Sequence, residues 1–178
     1  MKTSLRVMSA TAVLVTFAGA DRADAQTAGY FMDDARTLSQ ALDLGGPLVA
    51  ALPISLTETP PAGTSSGVEA WTSSGEDGRP RQIFLYTQSN VFRCANRHPT
   101  PLWQCRLKLA SILVHEAVHL SGNRDERNAY EAQIAFLVGR GASSQIVTSV
   151  ARARDYVVAR QRAREAETRG ALTHPPLD

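Results

Sequence analysis

The sequence predicts a small, predominantly helical α+β domain, and three observations carry this prediction. Three long stretches in the second half of the chain place apolar residues at helical spacing. Two short segments before them, "GVEAW" and "QIFLYT", have the length of strands, and the second is rich in β-branched and aromatic residues. The 178 residues, 43% of them hydrophobic, suffice for one domain with one core, and no internal repeat divides them. We therefore expect a short sheet that precedes the central helix and packs on it.

The first half of the chain is expected to begin with a helix and to continue through loops and strands. In "GYFMDDARTLSQALDL" Asp33 or Asp34 favours a helix start, and the glycines and proline at 45–47 favour its end. The segments "TETPPAGTSSG" and "TSSGEDGRPR" have the composition of loops and lie before and between the two strands. We expect "NVFRCAN" to extend or pair with the sheet, and "HPTPLW", with its two prolines, to form an irregular loop.

The second half is expected to form three helices. The first, "RLKLASILVHEAVHLSG", starts near Arg106, contains no proline, is largely apolar and ends at Gly122, so it should be the central buried helix. The second, "DERNAYEAQIAFLVGRG", ends at Gly139 and Gly141. The third, "SQIVTSVARARDYVVARQRAREAET", is amphipathic and carries arginines on its exposed side.

The N-terminal segment has the pattern of a signal peptide. Lys2 and Arg6 form a basic region, a short apolar stretch follows, and "ADAQ" offers an Ala-x-Ala cleavage site that ends at Ala25. We expect the mature protein to be secreted or periplasmic, without stable membrane insertion after cleavage. The predicted division is a signal peptide at 1–25, one domain at 26–170 and a flexible tail at 171–178.

The charge of the chain indicates which class of partner to expect, and its cysteine content indicates the redox compartment. The formal net charge is +2 and the arginines are scattered, so we expect no nucleic-acid partner. Cys94 and Cys105 are the only cysteines, and a lone pair in an exported chain most simply forms one disulfide. Their spacing does not match the Cys-x-x-Cys pattern of thiolate zinc sites.

The central helix carries the pentapeptide His115-Glu116-Ala117-Val118-His119. Residues four apart share a helix face, so the two imidazoles can bind one Zn²⁺ ion. Glu116 follows the first histidine, and from there its carboxylate can reach a zinc-bound water and act as general base. Two histidines and a glutamate are costly to bury in such an apolar helix unless they bind something. The motif therefore predicts a zinc site, and the alternative is a pair of hydrogen-bonded core histidines with a solvent-facing Glu116.

This motif resembles the His-Glu-x-x-His signature of the zincin metallopeptidases, whose subgroups differ in the third metal ligand. The stretch from His115 to Asp125 is similar to the Asp form of the metzincin signature, with Gly122 at the turn. Metzincins also carry a methionine-containing turn downstream of the motif. The methionines of this chain all lie upstream, at Met1, Met8 and Met32.

The alternative is the Glu-x-x-Ala arrangement of the gluzincins, which favours Glu126. Glu126 and Ala129 share a helix face, and the small residue lets the second helix pack close to the first. Gln133 continues this face as a candidate hydrogen-bonding residue near the site. Glu131, five residues after Glu126, would point to a different face.

A simpler explanation of these acidic residues is helix capping. Asn123 followed by Glu126 fits an N-cap with a capping-box acid, and Asp125 also suits a first turn. We predict His115, His119 and Glu126 as the metal ligands and keep Asp125 and Glu131 as alternatives to Glu126.

By this resemblance the protein would be an exported zinc-dependent metallopeptidase of gluzincin type, with peptides or proteins as substrates. It would hydrolyse peptide bonds through a zinc-bound water with Glu116 as general base. The developing oxyanion needs a further donor, and the candidates are Tyr130, His98, Tyr156 and Arg93. By the same resemblance, the strand Ile83–Thr87 is the candidate edge to which an extended substrate would add.

Other functions fit parts of the same pattern. A metzincin-like peptidase would use Asp125 as the third ligand. A non-catalytic zinc-stabilised binding module would bind the metal but would have no use for Glu116. A metal-free helical adaptor would bind no zinc, and a chelator would leave its stability unchanged.

Overall fold

The computed structural model describes residues 33–62, 67–97 and 103–173, with side chains described as far as residue 168. The predicted signal peptide, His98 and the last five residues of the predicted tail lie outside these ranges. Within them, five α-helices and a three-stranded sheet form a predominantly helical α+β fold, which confirms the predicted fold class.

The first helix, α1 (Asp34–Gly45), begins and ends where the sequence indicates. The Asp33 side chain caps it by accepting a hydrogen bond from the Ala35 N–H at 3.0 Å. Gly46, with φ of 64°, ends the helix and opens a single 3₁₀ turn, Gly46–Leu48.

The sheet contains β1 (Ile54–Thr57), β2 (Ala70–Ser74) and β3 (Pro80–Tyr86) in the order β1-β3-β2. β3 runs parallel to β1 and antiparallel to β2, so it is the central strand. Two strands were predicted, although β2 begins three residues after the start of "GVEAW". β1 was not predicted, because a strand of four residues is stabilised chiefly by its pairing with β3, which is distant in sequence.

The prediction for "NVFRCAN" is wrong, because this segment forms a helix, α2 (Asn90–Ala95), and not a part of the sheet. Ser89 caps it by accepting a hydrogen bond from the Phe92 N–H at 3.2 Å. Val91 and Ala95, four residues apart, are both buried on the core side. The serine cap and this spacing outweigh the strand preference of Val91 and Phe92.

The third helix, α3 (Trp103–Leu120), is the centre of the fold, as predicted. It packs against α1, α2, β2 and β3, and nearly every residue from 107 to 116 is buried. The predicted disulfide is present and joins Cys94 of α2 to Cys105 in the first turn of α3. The helix that carries the His-Glu-x-x-His motif is therefore held by the core and by a covalent bond.

The last two helices, α4 (Glu126–Gly139) and α5 (Ser144–Thr173), pack successively outward from α3. A second apolar cluster, built on Leu107, Leu137 and Val150, joins the three helices. α5 extends to Thr173, three residues into the segment predicted as a tail, because no proline interrupts the helix before Pro175. Of the helices described, none is both long enough and apolar enough to cross a membrane.

Candidate metal centre

Two neighbouring helix ends bring the predicted ligands together. His115 and His119 lie one turn apart near the end of α3, and Glu126 is the first residue of α4. The chain returns within five residues, aided by Gly122, whose φ of 92° is a conformation that favours glycine. The short connection places the Glu126 carboxylate opposite both imidazoles.

The distances within this group fit a tetrahedral metal ion. The two Nε2 atoms are 3.2 Å apart, and the Glu126 carboxylate oxygens lie 3.5 Å from His115 Nε2 and 3.6 Å from His119 Nε2. Atoms that surround zinc tetrahedrally at 2.0–2.1 Å are separated from one another by about 3.3 Å. Two imidazole nitrogens and a carboxylate are also donors that zinc prefers. The His115, His119 and Glu126 group could therefore hold a metal ion.

The loop between the helices fixes the orientation of His119. Its Nδ1 lies 2.9 Å from the Asn123 carbonyl oxygen, which can only accept a hydrogen bond. Nδ1 therefore carries the proton, and in the neutral ring the Nε2 lone pair faces the candidate metal position. The Arg124 side chain donates to the Gly78 carbonyl at 2.8 Å and so ties this loop to the turn between β2 and β3.

The other two candidate third ligands are placed differently. Asp125 caps α4, since its carboxylate accepts a hydrogen bond from the Arg127 N–H at 2.9 Å, and its side chain is exposed. Asn123, the predicted cap, instead accepts from the Asp125 N–H. Glu131 is exposed on α4. Of the three acidic residues, only Glu126 shares a potential metal group with the histidines among the described residues.

Glu116 lies beside this group without belonging to it. Its side chain is buried and lines the same cleft as the two histidines. Burial raises the pKa of the Glu116 carboxyl above its ordinary value, although the nearby His115 and His119 oppose that shift. A carboxyl group with a raised pKa, next to a candidate metal position, can accept and return a proton.

Without a metal, the Glu126 carboxylate and the imidazoles would stabilise one another electrostatically. Hydrogen bonds from His115 and His119 lower the pKa of Glu126 to about 2. The hydrogen bond to Glu126 is the main reason that the pKa of His119 rises to about 9. The group thus holds an ionised carboxylate, which is the form that binds a metal.

Tyr130 packs directly against one of the histidines. Its ring meets the His115 ring edge to face, with 4.5 Å between centroids and 75° between planes. Burial is the main reason that the pKa of the phenol rises to about 12. His115 Nδ1 is itself buried without a hydrogen-bond partner in the described part of the chain, so packing orients this imidazole.

A cleft of about 680 Å³ opens in front of the group. Its walls come from β2 and the residues before it, from α3 and α4, and from the first half of α5. The cleft includes the Lys108–Glu69 ion pair, with 3.0 Å between charged atoms. Sequence reasoning missed this pair and, apart from Tyr156, the α5 wall, because each depends on residues that only tertiary packing brings together.

The structure separates the four oxyanion candidates and corrects the predicted substrate edge. Tyr130 and Tyr156 line the cleft, Arg93 lies in α2 and is not part of the described cleft wall, and His98 falls outside the described residues. The predicted edge Ile83–Thr87 is wrong, because it belongs to β3, which is paired on both sides. The strand that borders the cleft is β2.

Comparisons of the chain with protein-family models, curated proteins and solved structures give no match. The function is therefore inferred from the geometry and chemistry of the site.

Proposed function

We propose that this protein is an exported, zinc-dependent peptidase of gluzincin type. The observation that carries the proposal is the spacing of the three donor groups, whose separations of 3.2, 3.5 and 3.6 Å suit one tetrahedral ion. A buried Glu116 in the same cleft, outside the ligand group, adds the acid–base residue that a hydrolase needs.

Three residues would hold the metal and leave one position for a substrate or water. His115 and His119 would bind through Nε2, and Glu126 through its carboxylate. A bound zinc ion would lower the pKa of water in the cleft and polarise the carbonyl group of a substrate. The hydrogen bond from His119 Nδ1 to the Asn123 carbonyl would keep that ring in its binding orientation.

Glu116 would move the proton. Its carboxylate accepts a proton from the attacking water as the water oxygen bonds to the carbonyl carbon. Glu116 then gives that proton to the amide nitrogen while the C–N bond breaks, which releases an amine and a carboxylic acid. The raised pKa of Glu116, which burial causes, makes its carboxylate a stronger base than an exposed glutamate and so favours the first step.

An extended peptide is the substrate that the cleft fits best. β2 lies at one side of the described sheet, and Ala70 and Thr72 line the cleft. The Tyr86 N–H donates to the Glu69 carbonyl at 3.0 Å. Because every second residue of an antiparallel strand bonds to its partner strand, the backbone groups of Glu69 and Trp71 point towards β3. The backbone groups of Ala70 and Thr72 therefore point outward and can pair with a substrate main chain.

Export is supported by the disulfide and by the N-terminal pattern. The Cys94–Cys105 bond is typical of proteins in oxidising compartments. The basic region, apolar stretch and Ala-x-Ala site before Gln26 fit a signal peptide, which would direct the protein to the periplasm or the exterior.

One observation favours a second function, a non-catalytic zinc-stabilised module. The ligands come from both α3 and α4, so a bound ion would also join the two helices. Glu116 distinguishes the two functions, because a purely structural site would tolerate glutamine there without any loss of function.

The test compares cleavage of an unfolded protein substrate by the zinc-loaded protein and by Glu116→Gln. We expect cleavage that a chelator abolishes and zinc restores, and a fall of about 10²- to 10⁴-fold in Glu116→Gln with unchanged zinc content. Glu131→Gln, an exposed change on α4, serves as the matched control and should cleave normally. Zinc-loaded protein that cleaves nothing, or cleaves equally well as Glu116→Gln, would contradict the peptidase and favour the structural module.

A further inference from the structure

Tyr130 is held in a fixed place beside the candidate metal group. It follows Glu126 by one helical turn on α4, so the two side chains emerge on the same face. The His115 ring fixes the phenol from the other side, at a centroid distance of 4.5 Å. The residue is half-buried and lines the cleft.

The hydroxyl group of Tyr130 is available for a ligand. It has no hydrogen-bond partner among the described residues. It is also not buried, since it is absent from the set of buried polar atoms without a partner. The oxygen is therefore accessible to solvent, and its hydrogen can be donated without first breaking a bond within the described part of the protein.

Other donors around the cleft are less suited to this position. The Lys108 ammonium group is paired with Glu69 at 3.0 Å, and the Gln133 amide donates to the Ser111 hydroxyl at 3.1 Å. Tyr156 is 62% exposed on α5 and has no ring contact with the metal group. Tyr130 combines contact with a ligand residue, a fixed ring and a free hydroxyl.

We propose that Tyr130 is a catalytic residue that donates a hydrogen bond to the carbonyl oxygen of the scissile bond. Attack of water moves negative charge onto that oxygen, and a preorganised donor stabilises the charge more in the transition state than in the substrate. No proton leaves Tyr130, because Glu116 accepts and returns the proton in both steps. This inference rests on the proposed function.

Tyr130→Phe tests the hydroxyl group alone. Phenylalanine preserves the ring that packs against His115, so zinc content and thermal stability should match those of the unchanged protein. Tyr86→Phe is the matched control, since Tyr86 lies in β3 and is not part of the described cleft wall.

The first measurement does not depend on turnover. Acetohydroxamate, a small carbonyl compound whose oxygens can approach the metal, is titrated into each zinc-loaded protein by calorimetry. We expect its affinity to fall about threefold to tenfold in Tyr130→Phe, which is the size of one lost neutral hydrogen bond, and not in Tyr86→Phe. With a cleaved peptide, kcat should fall by about 10²-fold in Tyr130→Phe while KM changes little.

The outcomes separate this inference from the proposed function. A weaker acetohydroxamate complex in Tyr130→Phe supports the hydrogen-bond donor. If no peptide is cleaved as well, the peptidase proposal and the catalytic role of Tyr130 both fail, and only the hydrogen bond to a bound carbonyl compound stands. Equal affinity and equal kcat in Tyr130→Phe and the unchanged protein would overturn the inference while leaving the peptidase intact. A loss of affinity and kcat that reduced zinc content fully accounts for would also overturn it, because Tyr130 would then act only on the metal site. A protein that binds no zinc would overturn both.

Discussion

Glu126 links the two helices of the candidate metal group, because its carboxylate lies close to both histidines. It lies 3.5 Å from His115 Nε2 and 3.6 Å from His119 Nε2, across the gap between two helices. Without a metal the Glu126 carboxylate is paired with the His119 imidazole, and the same three side chains could hold a metal ion. Both states need an ionised Glu126, but a metal must replace any proton on His119 Nε2.

At the residue scale, we predict that the stability of the metal-free protein depends on pH on both sides of a maximum. The pKa of Glu126 is lowered from 4.5 to about 2, so its contribution to the free energy of unfolding is present above pH 4.5 and is lost as the pH falls towards 2. The pKa of His119 is raised from 6.5 to about 9, so its contribution is present below pH 6.5 and is lost as the pH rises through 9. The pair should therefore stabilise the protein most between about pH 4.5 and 6.5.

Urea unfolding of chelator-treated protein across this pH range measures the effect. Glu126→Gln removes the charge and should flatten both sides of the profile. An identical profile in Glu126→Gln and the unchanged protein would show that other groups cause the pH dependence.

At the element scale, each polar residue of the turn between α3 and α4 makes a different contact. The Asn123 carbonyl accepts from His119, Arg124 contacts the Gly78 carbonyl, and Asp125 caps α4. A cap and a metal ligand are distinct functions, and a substitution that preserves one can remove the other.

We predict that Asp125→Ala lowers the free energy of unfolding by about 1 kcal/mol, since α4 loses its cap. Asp125→Asn retains an oxygen that can accept from the Arg127 N–H and should be close to neutral. Chemical denaturation of the metal-free variants measures both effects. A loss of equal size in Asp125→Asn would mean that the negative charge, rather than the cap, stabilises this end of the helix.

The disulfide also acts between elements, because it joins the end of α2 to the start of α3. Replacing Cys94 and Cys105 together with serine should lower the free energy of unfolding by about 3 kcal/mol, by the loop-closure argument. Reducing agent should lower the stability of the unchanged protein by a similar amount and leave the serine variant unaffected. Equal stability of the oxidised protein and the double variant would rule out this contribution.

At the scale of the whole molecule, the sequence predicts best what local spacing determines. The helices, the turn at Gly122 and the common face of His115 and His119 follow from residues a few positions apart. α2 was mistaken for a strand, since a six-residue segment of mixed apolar and polar residues fits either structure until its cap is recognised.

Features that depend on distant residues were not predicted. The central place of β3 arises from its pairing with β1 on one side and β2 on the other, which no local pattern specifies. The contribution of α5 to the cleft depends on how α5 packs against α4. Tyr130 was one of four oxyanion candidates in the sequence, and only its contact with His115 sets it apart.

The central claim is that His115, His119 and Glu126 together hold one zinc ion, and zinc content per chain tests it most directly. Elemental analysis compares the unchanged protein with Glu126→Gln, with Asp125→Asn, which preserves the cap, and with the exposed control Glu131→Gln. We predict about one zinc per chain in all except Glu126→Gln, where zinc binding should be lost or greatly weakened. Loss only in Asp125→Asn, or no zinc in the unchanged protein after incubation with the metal, would contradict it.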